Sequence, residues 1–196
     1  MAGVGWDRIL IEATADGSCN GLSIAAIADR RGMAPVDACF ALLIEDPETA
    51  CIGDAMDEAD VRTILSDPDV MVASDASAMR PDGPLGTLPV HPRTYGTFPR
   101  VLGRYVRDGT VTIEQAVRKM TSLPADRFGL AGRGRIAEGA VADLVLFAPE
   151  LIADTAVFGA PHRYPAGIDL VVVNGSIAWE GGAIARHGQV LRRSQI

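Results

Sequence analysis

The run DVMVASD, residues 69–75, constrains the fold of this chain more than any other segment. Its apolar centre is bounded by aspartates, and this pattern is typical of a parallel strand that is covered on both faces. Overlapping its end, the stretch from Ser74 to Arg100 is rich in glycine and proline, yet it carries several charged side chains. Charge on irregular backbone beside a buried strand indicates a functional loop.

Helical patterns stand on both sides of this predicted strand. Apolar residues recur at helical spacing in five segments: residues 21–32, 34–46, 57–67, 98–109 and 112–130. Pro35 suits the first turn of its helix, and Thr112 with Gln115 makes a capping box. A short buried strand is predicted at residues 7–13. The chain therefore alternates strand and helix in the manner of an α/β protein.

After residue 132, short β-rich runs punctuated by glycine, asparagine and proline replace the helices. Asn174 and Gly175 predict a tight hairpin turn between two of these runs. The last run, GQVLRR, occupies residues 188–193. We therefore predict an α/β segment, residues 1–132, followed by a small β module, residues 133–196.

Composition excludes several classes of protein. The chain has 196 residues, a hydrophobic content of 48% and a net charge of -7. This charge argues against a nucleic-acid surface, which needs a clustered basic face. No apolar run approaches the roughly 20 residues of a membrane-spanning helix, and the start MAGVGWDRIL lacks the pattern of a secretory signal. Three cysteines without CxxC spacing indicate reduced thiols, so we expect a cytoplasmic protein.

Five segments together resemble one known family. They are VMVASD, HPRTYGTFPRVL, AVRKMTSLPADRFGL, RGRIAEGAVADLVLFAP and GIDLVVVNG. In combination they are similar to the carboxy-terminal portion of the D-aminoacylase group, the N-acyl-D-amino-acid deacylases of the amidohydrolase superfamily. The resemblance implies the C-terminal part of a metal-dependent-hydrolase (β/α)8 (TIM) barrel in residues 1–132, and part of a small β-sandwich domain in residues 133–196. It also implies hydrolysis of the amide C–N bond of a small-molecule N-acyl-D-amino acid by metal-activated water.

Three residues receive roles from this resemblance. Asp75 corresponds to the aspartate at the end of the last barrel strand, which acts as general base and then protonates the leaving amine. Arg93 is similar in placement to the arginine that binds the α-carboxylate of the substrate, for which a planar guanidinium is suited. For His91, two roles stay open: ordering the loop, or contacting the substrate. The family commonly has glycine after the aspartate, whereas this chain has Ala76, so we expect the loop to turn differently.

The metal ligands of the family are absent from this sequence. The resemblance implies zinc in the parent enzyme, held by an HxH pair and by residues of earlier strands. This chain has only His91, His162 and His187, and no HxH. A full barrel takes about 250 residues, and only about half of that number precedes the β module. We therefore expect zinc to require residues that this chain does not supply.

Three readings follow from the incomplete barrel. The chain is the C-terminal fragment of a deacylase, inactive alone; or one subunit of a split amidohydrolase; or a non-catalytic remnant that serves binding or oligomerisation. A cyclic amide or a dipeptide is the alternative substrate class. A half barrel leaves strand edges and an apolar interior uncovered, so we expect a homo-oligomer or pairing with the missing N-terminal half.

Overall fold

The computed structural model describes residues 5–88 and 90–191. The described chain forms two compact units, of which the first comprises residues 5–58 with 87–88 and the second residues 59–86 with 90–191. Both helices and strands are present, which confirms a mixed α/β chain. The predicted division into residues 1–132 and 133–196 concerns the parts of a larger fold and stays a prediction.

The first unit is a two-stranded antiparallel sheet with two helices. A 3-10 turn, Trp6–Arg8, leads into strand β1, Ile9–Ala13, which pairs with β2, Ala50–Gly53. Helix α1 runs over Ile24–Arg31 and α2 over Pro35–Glu45. Their shared core comprises Ile11, Cys19, Ile24, Ile27, Ala28, Ala38 and Leu42. The predicted strand, both predicted helices and the place of Pro35 in a first turn are confirmed.

The second unit begins with helices. Helix α3 spans Glu58–Ser66, and α4 spans Arg93–Arg100 and continues into a π-helical turn, Val101–Tyr105. Helix α5 covers Ile113–Met120 and α6 covers Ser122–Phe128. The buried residues that hold this part together are Leu65, Val101, Tyr105, Val111 and Ala116.

The segment 112–130 was predicted as one helix, and this prediction is wrong because Thr121 interrupts it with φ -130° and ψ -86°. Pro124 has no amide hydrogen to donate to the carbonyl of Met120, so the helix cannot continue through this turn. The predicted capping box is confirmed: Thr112 N–H donates to Gln115 Oε1 at 2.9 Å, and Gln115 N–H to Thr112 Oγ1 at 3.3 Å.

A four-stranded antiparallel sheet completes the second unit. Its strands, in the order β3-β4-β5-β6, are Leu144–Phe147, Ile168–Val173, Ser176–Glu180 and Ala183–Ile184. The predicted hairpin turn is confirmed, with φ values of 50° at Asn174 and 76° at Gly175. Residues 188–191 of the predicted last run are not in a strand, and residues 192–193 lie outside the described part of the chain.

The predicted parallel strand at residues 69–75 does not form among the described residues. A strand exists through ladder bonds to its neighbours, and both sheets of the described chain are antiparallel and contain other segments. Instead, Val72 N–H donates to the carbonyl of Lys119 in α5, at 3.2 Å. The segment is therefore held by a helix. Within residues 5–88 and 90–191, every helix is too short or too polar to cross a membrane.

Candidate functional site

The structure brings two of the predicted site residues into direct contact. An oxygen of the Asp75 carboxylate lies 2.8 Å from Nη2 of Arg93. The side chain of Asp75 is 85% exposed and that of Arg93 is 46% exposed. Eighteen positions separate the two residues in the sequence, and the intervening loop closes on itself to join them. The pair is thus an ion pair that is open to solvent, with both charges accessible to a ligand.

The backbone of Asp75 is in the left-handed region, with φ 50°. Non-glycine residues adopt this conformation uncommonly, and aspartate and asparagine tolerate it best. Among the described residues, Asn174 of the hairpin is the other non-glycine residue with positive φ. The chain therefore turns at Asp75 itself and not at Ala76, where a glycine would have made the turn easy. From this turn the Asp75 carboxylate reaches Arg93.

Arg93 and His91 stand at the beginning of helix α4. His91 Nδ1 accepts a hydrogen bond from the backbone N–H of Arg93 at 3.0 Å, so the imidazole satisfies an amide that the first turn of a helix leaves without a partner. Thr94 N–H donates to the carbonyl of His91 at 3.0 Å. The structure thus shows the loop-ordering contact, and a substrate contact of His91 stays a prediction.

The surroundings of His91 favour the neutral form of its imidazole. Partial burial, followed by the positive charges of Arg93 and Arg100, lowers the pKa of His91 below its ordinary value. Its ring also packs edge-on against Phe158, with the ring centroids 5.0 Å apart. A neutral ring that accepts at Nδ1 carries its proton on Nε2. The arrangement suits a structural acceptor, because protonation of Nδ1 would remove the bond to Arg93.

An aromatic loop between β3 and β4 packs on the same helix. Tyr95 contacts Tyr164 edge-on at 5.9 Å between centroids, and its hydroxyl lies 3.0 Å from Nδ1 of His162. Arg100 forms an ion pair with Asp154 at 2.7 Å. Arg100 and Tyr95 therefore hold the loop to helix α4. Sequence reasoning did not find Asp154 and Phe158, which contact Arg100 and His91, because they come from a distant segment.

Sequence reasoning also missed Lys119, in the last turn of α5. Only 1% of Lys119 is exposed, and its ammonium donates to the carbonyls of Asp67 and Val70 in the segment that leads to Asp75. The helical spacing indicates the burial of Lys119. It follows Ala116, which is fully buried, by three positions, so both residues lie on the same face of the helix. A charged residue on such a face requires a partner in the interior.

The described residues contain no group of three or more histidine, cysteine, aspartate or glutamate side chains that could hold a metal ion. Asp75 forms an ion pair with an arginine, and Nδ1 of His91 binds backbone. A zinc site needs at least three protein ligands around an open position. The residues described here therefore do not fit a metal site by themselves. What the pair offers is one carboxylate that can carry a proton and one guanidinium that can bind an anion.

Comparison with known proteins places these residues in a family context. The model of the Amidohydrolase family matches residues 7–178. The D-aminoacylase of Alcaligenes xylosoxydans xylosoxydans is 49% identical over 142 residues, which are 71% of this chain and 28% of that protein. The N-acyl-D-glutamate deacylase of the same organism is 44% identical over 177 residues, which are 89% of this chain and 34% of that protein.

Solved structures give the same picture. An N-acyl-D-glutamate deacylase from Bordetella bronchiseptica, complexed with zinc and a phosphonate inhibitor, matches with a TM-score of 0.77 at 41% identity. The match covers 95% of this chain and 38% of that one. A crystal structure of D-aminoacylase matches with a TM-score of 0.75 at 40% identity, over 92% of this chain and 36% of that one. The chain thus spans about a third of the length of these proteins.

Proposed function

This chain belongs to the amidohydrolase family, and from this premise we propose that it supplies the proton-transfer and substrate-carboxylate groups of an N-acyl-D-amino-acid deacylase. The observation that carries the proposal is the exposed ion pair of Asp75 and Arg93, at 2.8 Å. The predicted base and the predicted carboxylate anchor lie side by side, as a reaction on one small substrate requires. The similarity to D-aminoacylase and to N-acyl-D-glutamate deacylase supports the substrate class.

The proposed reaction is hydrolysis of the amide C–N bond. Water attacks the acyl carbon, and the products are a carboxylate and a free D-amino acid. Asp75 accepts a proton from the attacking water and delivers it to the leaving amine, for which an accessible carboxylate is required. The 85% exposure of its side chain leaves it free to meet a substrate.

Arg93 is proposed to bind the α-carboxylate of the substrate. A guanidinium has five N–H donors in a planar fork, so it can bind an incoming carboxylate in bidentate fashion. In this structure the guanidinium is bound to the Asp75 carboxylate. A substrate carboxylate has the same chemistry and would compete for these donors, which would free Asp75 for proton transfer. Binding and activation of the base would then be coupled.

The remainder of the site is proposed to come from outside this chain. We propose that residues 1–132 are the C-terminal segment of a (β/α)8 barrel and that residues 133–196 are part of a β-sandwich. In that larger fold the segment 69–75 would gain strand neighbours, and zinc would be held by residues of the other strands. A cytoplasmic location belongs to the same proposal, since Cys19, Cys39 and Cys51 are free thiols in the structure.

The test is to join this chain to the amino-terminal part of the D-aminoacylase that it resembles. Release of D-amino acid from N-acetyl-D-amino acids is then measured with zinc supplied, together with metal content. Asp75→Asn should abolish turnover and leave the metal content unchanged, because the variant keeps the shape of the side chain and loses the base. Arg93→Leu should raise KM more than it lowers kcat, because it removes binding of the carboxylate. Full activity of the Asp75→Asn enzyme would refute the assignment.

The isolated chain separates the remaining readings. A fragment or a split subunit should contain no stoichiometric metal and show no turnover, and turnover should appear only when the missing strands are supplied. Stoichiometric metal with turnover in the isolated chain would contradict both. Sedimentation of the isolated chain tests the proposed oligomer, and a well-folded monomer with a sharp melting transition would count against the half-barrel picture.

A further inference from the structure

Lys119 is the only lysine in the sequence, since every other basic residue among the 18 Lys and Arg is an arginine. It is also the only charged residue among the fully buried side chains of the described chain. Its ammonium donates to the carbonyl oxygens of Asp67 and Val70, the latter at 2.9 Å. Burial lowers the pKa of Lys119. A buried ammonium is costly unless its donors are bound, so these bonds account for its place in the interior.

Two further bonds join the same turn of α5 to the same segment. The carbonyl of Lys119 accepts the N–H of Val72 at 3.2 Å, and Nη1 of Arg118 donates to the carbonyl of Pro68 at 2.7 Å. Val72 also packs against the core of the second unit. The last turn of α5 therefore binds the backbone from residue 67 to residue 72, at four points.

These bonds replace a strand ladder. The segment 67–75 has no strand partner among the described residues, so backbone groups that would pair in a sheet are bound by the helix instead. Asp75 follows Val72 by three positions, so a displacement of Val72 moves the backbone that carries Asp75. The position of the Asp75 carboxylate relative to Arg93 consequently depends on how firmly residues 67–72 are held.

The chemistry of the side chain explains why lysine occupies this position. An ammonium is a compact charge with three rotatable donors, so it can bind several carbonyl oxygens that converge on one point. A guanidinium is larger and planar, and it carries its donors in a fixed fork instead of on one rotatable nitrogen. In a chain that otherwise uses arginine throughout, the lysine is found where the compact cation is needed.

We propose that Lys119 is a positioning residue for Asp75: by binding the carbonyls of residues 67 and 70, it fixes the segment that delivers the carboxylate to Arg93. The catalytic meaning of this role rests on the proposed function, because it requires Asp75 to transfer the proton. The structural role stands by itself and is measurable in the isolated chain.

The experiment compares Lys119→Met with Ala116→Gly in the 196-residue chain. Methionine keeps most of the stem and removes the donors, whereas glycine at the buried Ala116 weakens the same helix without touching a bond to residues 67–72. Amide hydrogen exchange is measured by NMR, residue by residue, and compared with the global stability of each variant. Lys119→Met should speed exchange at the hydrogen-bonded amides of Val70 and Val72 by roughly tenfold or more beyond the global change. An identical pattern in the two variants would show that Lys119 only stabilises the helix and would overturn the proposal.

A second measurement needs no variant. Because there is one lysine, selective ¹⁵N-lysine labelling gives a single side-chain ammonium signal. The proposal predicts that its protons exchange slowly with water and show transfer of magnetisation to residues 67–70. An ammonium that exchanges as fast as free lysine would overturn the proposal even if Lys119→Met fails to fold.

The joined enzyme described above separates this proposal from the proposed function. There, strand neighbours would also hold residues 69–75, so Lys119→Met should lower kcat by a smaller factor, roughly 3- to 10-fold, with little change in KM, because a displaced base slows the chemical step without weakening binding of the carboxylate. If exchange at Val70 and Val72 rises but Asp75→Asn retains full activity, the positioning role stands and the proposed function fails. If Asp75→Asn is inactive but Lys119→Met leaves both exchange and kcat unchanged, the proposed function stands and the positioning role fails.

Discussion

Replacing Asp75 with asparagine should leave this chain almost as stable as it was, although the change breaks an ion pair of 2.8 Å. The side chains of Asp75 and Arg93 are 85% and 46% exposed, so water screens their attraction. Exposed pairs of this kind contribute about 0.2–1 kcal/mol to the free energy of unfolding. The backbone adds no cost, since asparagine tolerates the left-handed conformation of Asp75 as well as aspartate does.

The assay is a double-mutant cycle of Asp75→Asn and Arg93→Met, with the free energy of unfolding obtained from urea denaturation followed by circular dichroism. The coupling energy should be about 0.2–1 kcal/mol and should shrink in high salt. Arg133→Met is the positive control. Only 15% of that arginine side chain is exposed, and it binds both Asp143 and Asn174. Arg133→Met should lower the free energy of unfolding by about 1.5–3 kcal/mol, more than the exposed pair of Asp75 and Arg93 contributes, because hydrogen bonds to charged groups are lost.

A coupling energy above about 2 kcal/mol would refute the reasoning, since exposed pairs do not reach this value. It would mean that Arg93 is a structural partner of Asp75, and that the pair exists to hold the loop. A small coupling leaves the pair without a large role in stability. The two charges would then be explained by what they bind, which is what the proposed function requires.

Three further outcomes are expected. Gly103→Ala should lower stability by about 1–3 kcal/mol and lower Tm, because an added Cβ would lie 2.5 Å from the carbonyl oxygen of Ile152; an unchanged Tm would contradict this packing. The pKa of His91 is lowered in the folded state, so its stabilising contribution is present above about pH 6.5 and is lost as the pH falls through the folded pKa. The wild-type chain should therefore lose more stability on acidification than His91→Asn. Parallel pH profiles of the two proteins would exclude a role of His91 in this loss. Thr112→Ala should cost about 1 kcal/mol in urea denaturation, because it removes the cap bond to Gln115 N–H; no change would mean that water replaces the cap.

Local sequence signals predicted most of the regular elements. Helix α1 ends at Gly32, whose φ is 64°, and this terminal glycine is visible in the sequence. The turn at Asn174 was predictable because few residues adopt its backbone conformation. Each of these signals acts between residues that are a few positions apart. Interactions this local form in the same way whatever the conformation of the rest of the chain.

The candidate site was predicted in part. Asp75 and Arg93 came from the family resemblance, but their contact at 2.8 Å depends on how an irregular loop closes. The roles of Lys119 and Phe158 depend on segments that are distant in sequence, so no local pattern identified their partners. The break of the predicted helix at Thr121 is different, because its cause is local. Pro124 is visible in the sequence and has no amide hydrogen with which to continue the helix.

The sequence by itself determined the helices α1, α2 and α3, the cap of α5, the hairpin turn, and which family the chain resembles. The tertiary structure decided that the apolar run 69–75 lies against helix α5, bound by Lys119 and not by neighbouring strands. The physical reason is that caps, turns and periodicity are satisfied within a few residues, whereas a strand exists only through the partners that accept its hydrogen bonds. Which partner binds the segment before Asp75 is a property of the folded chain, and it sets where the carboxylate stands.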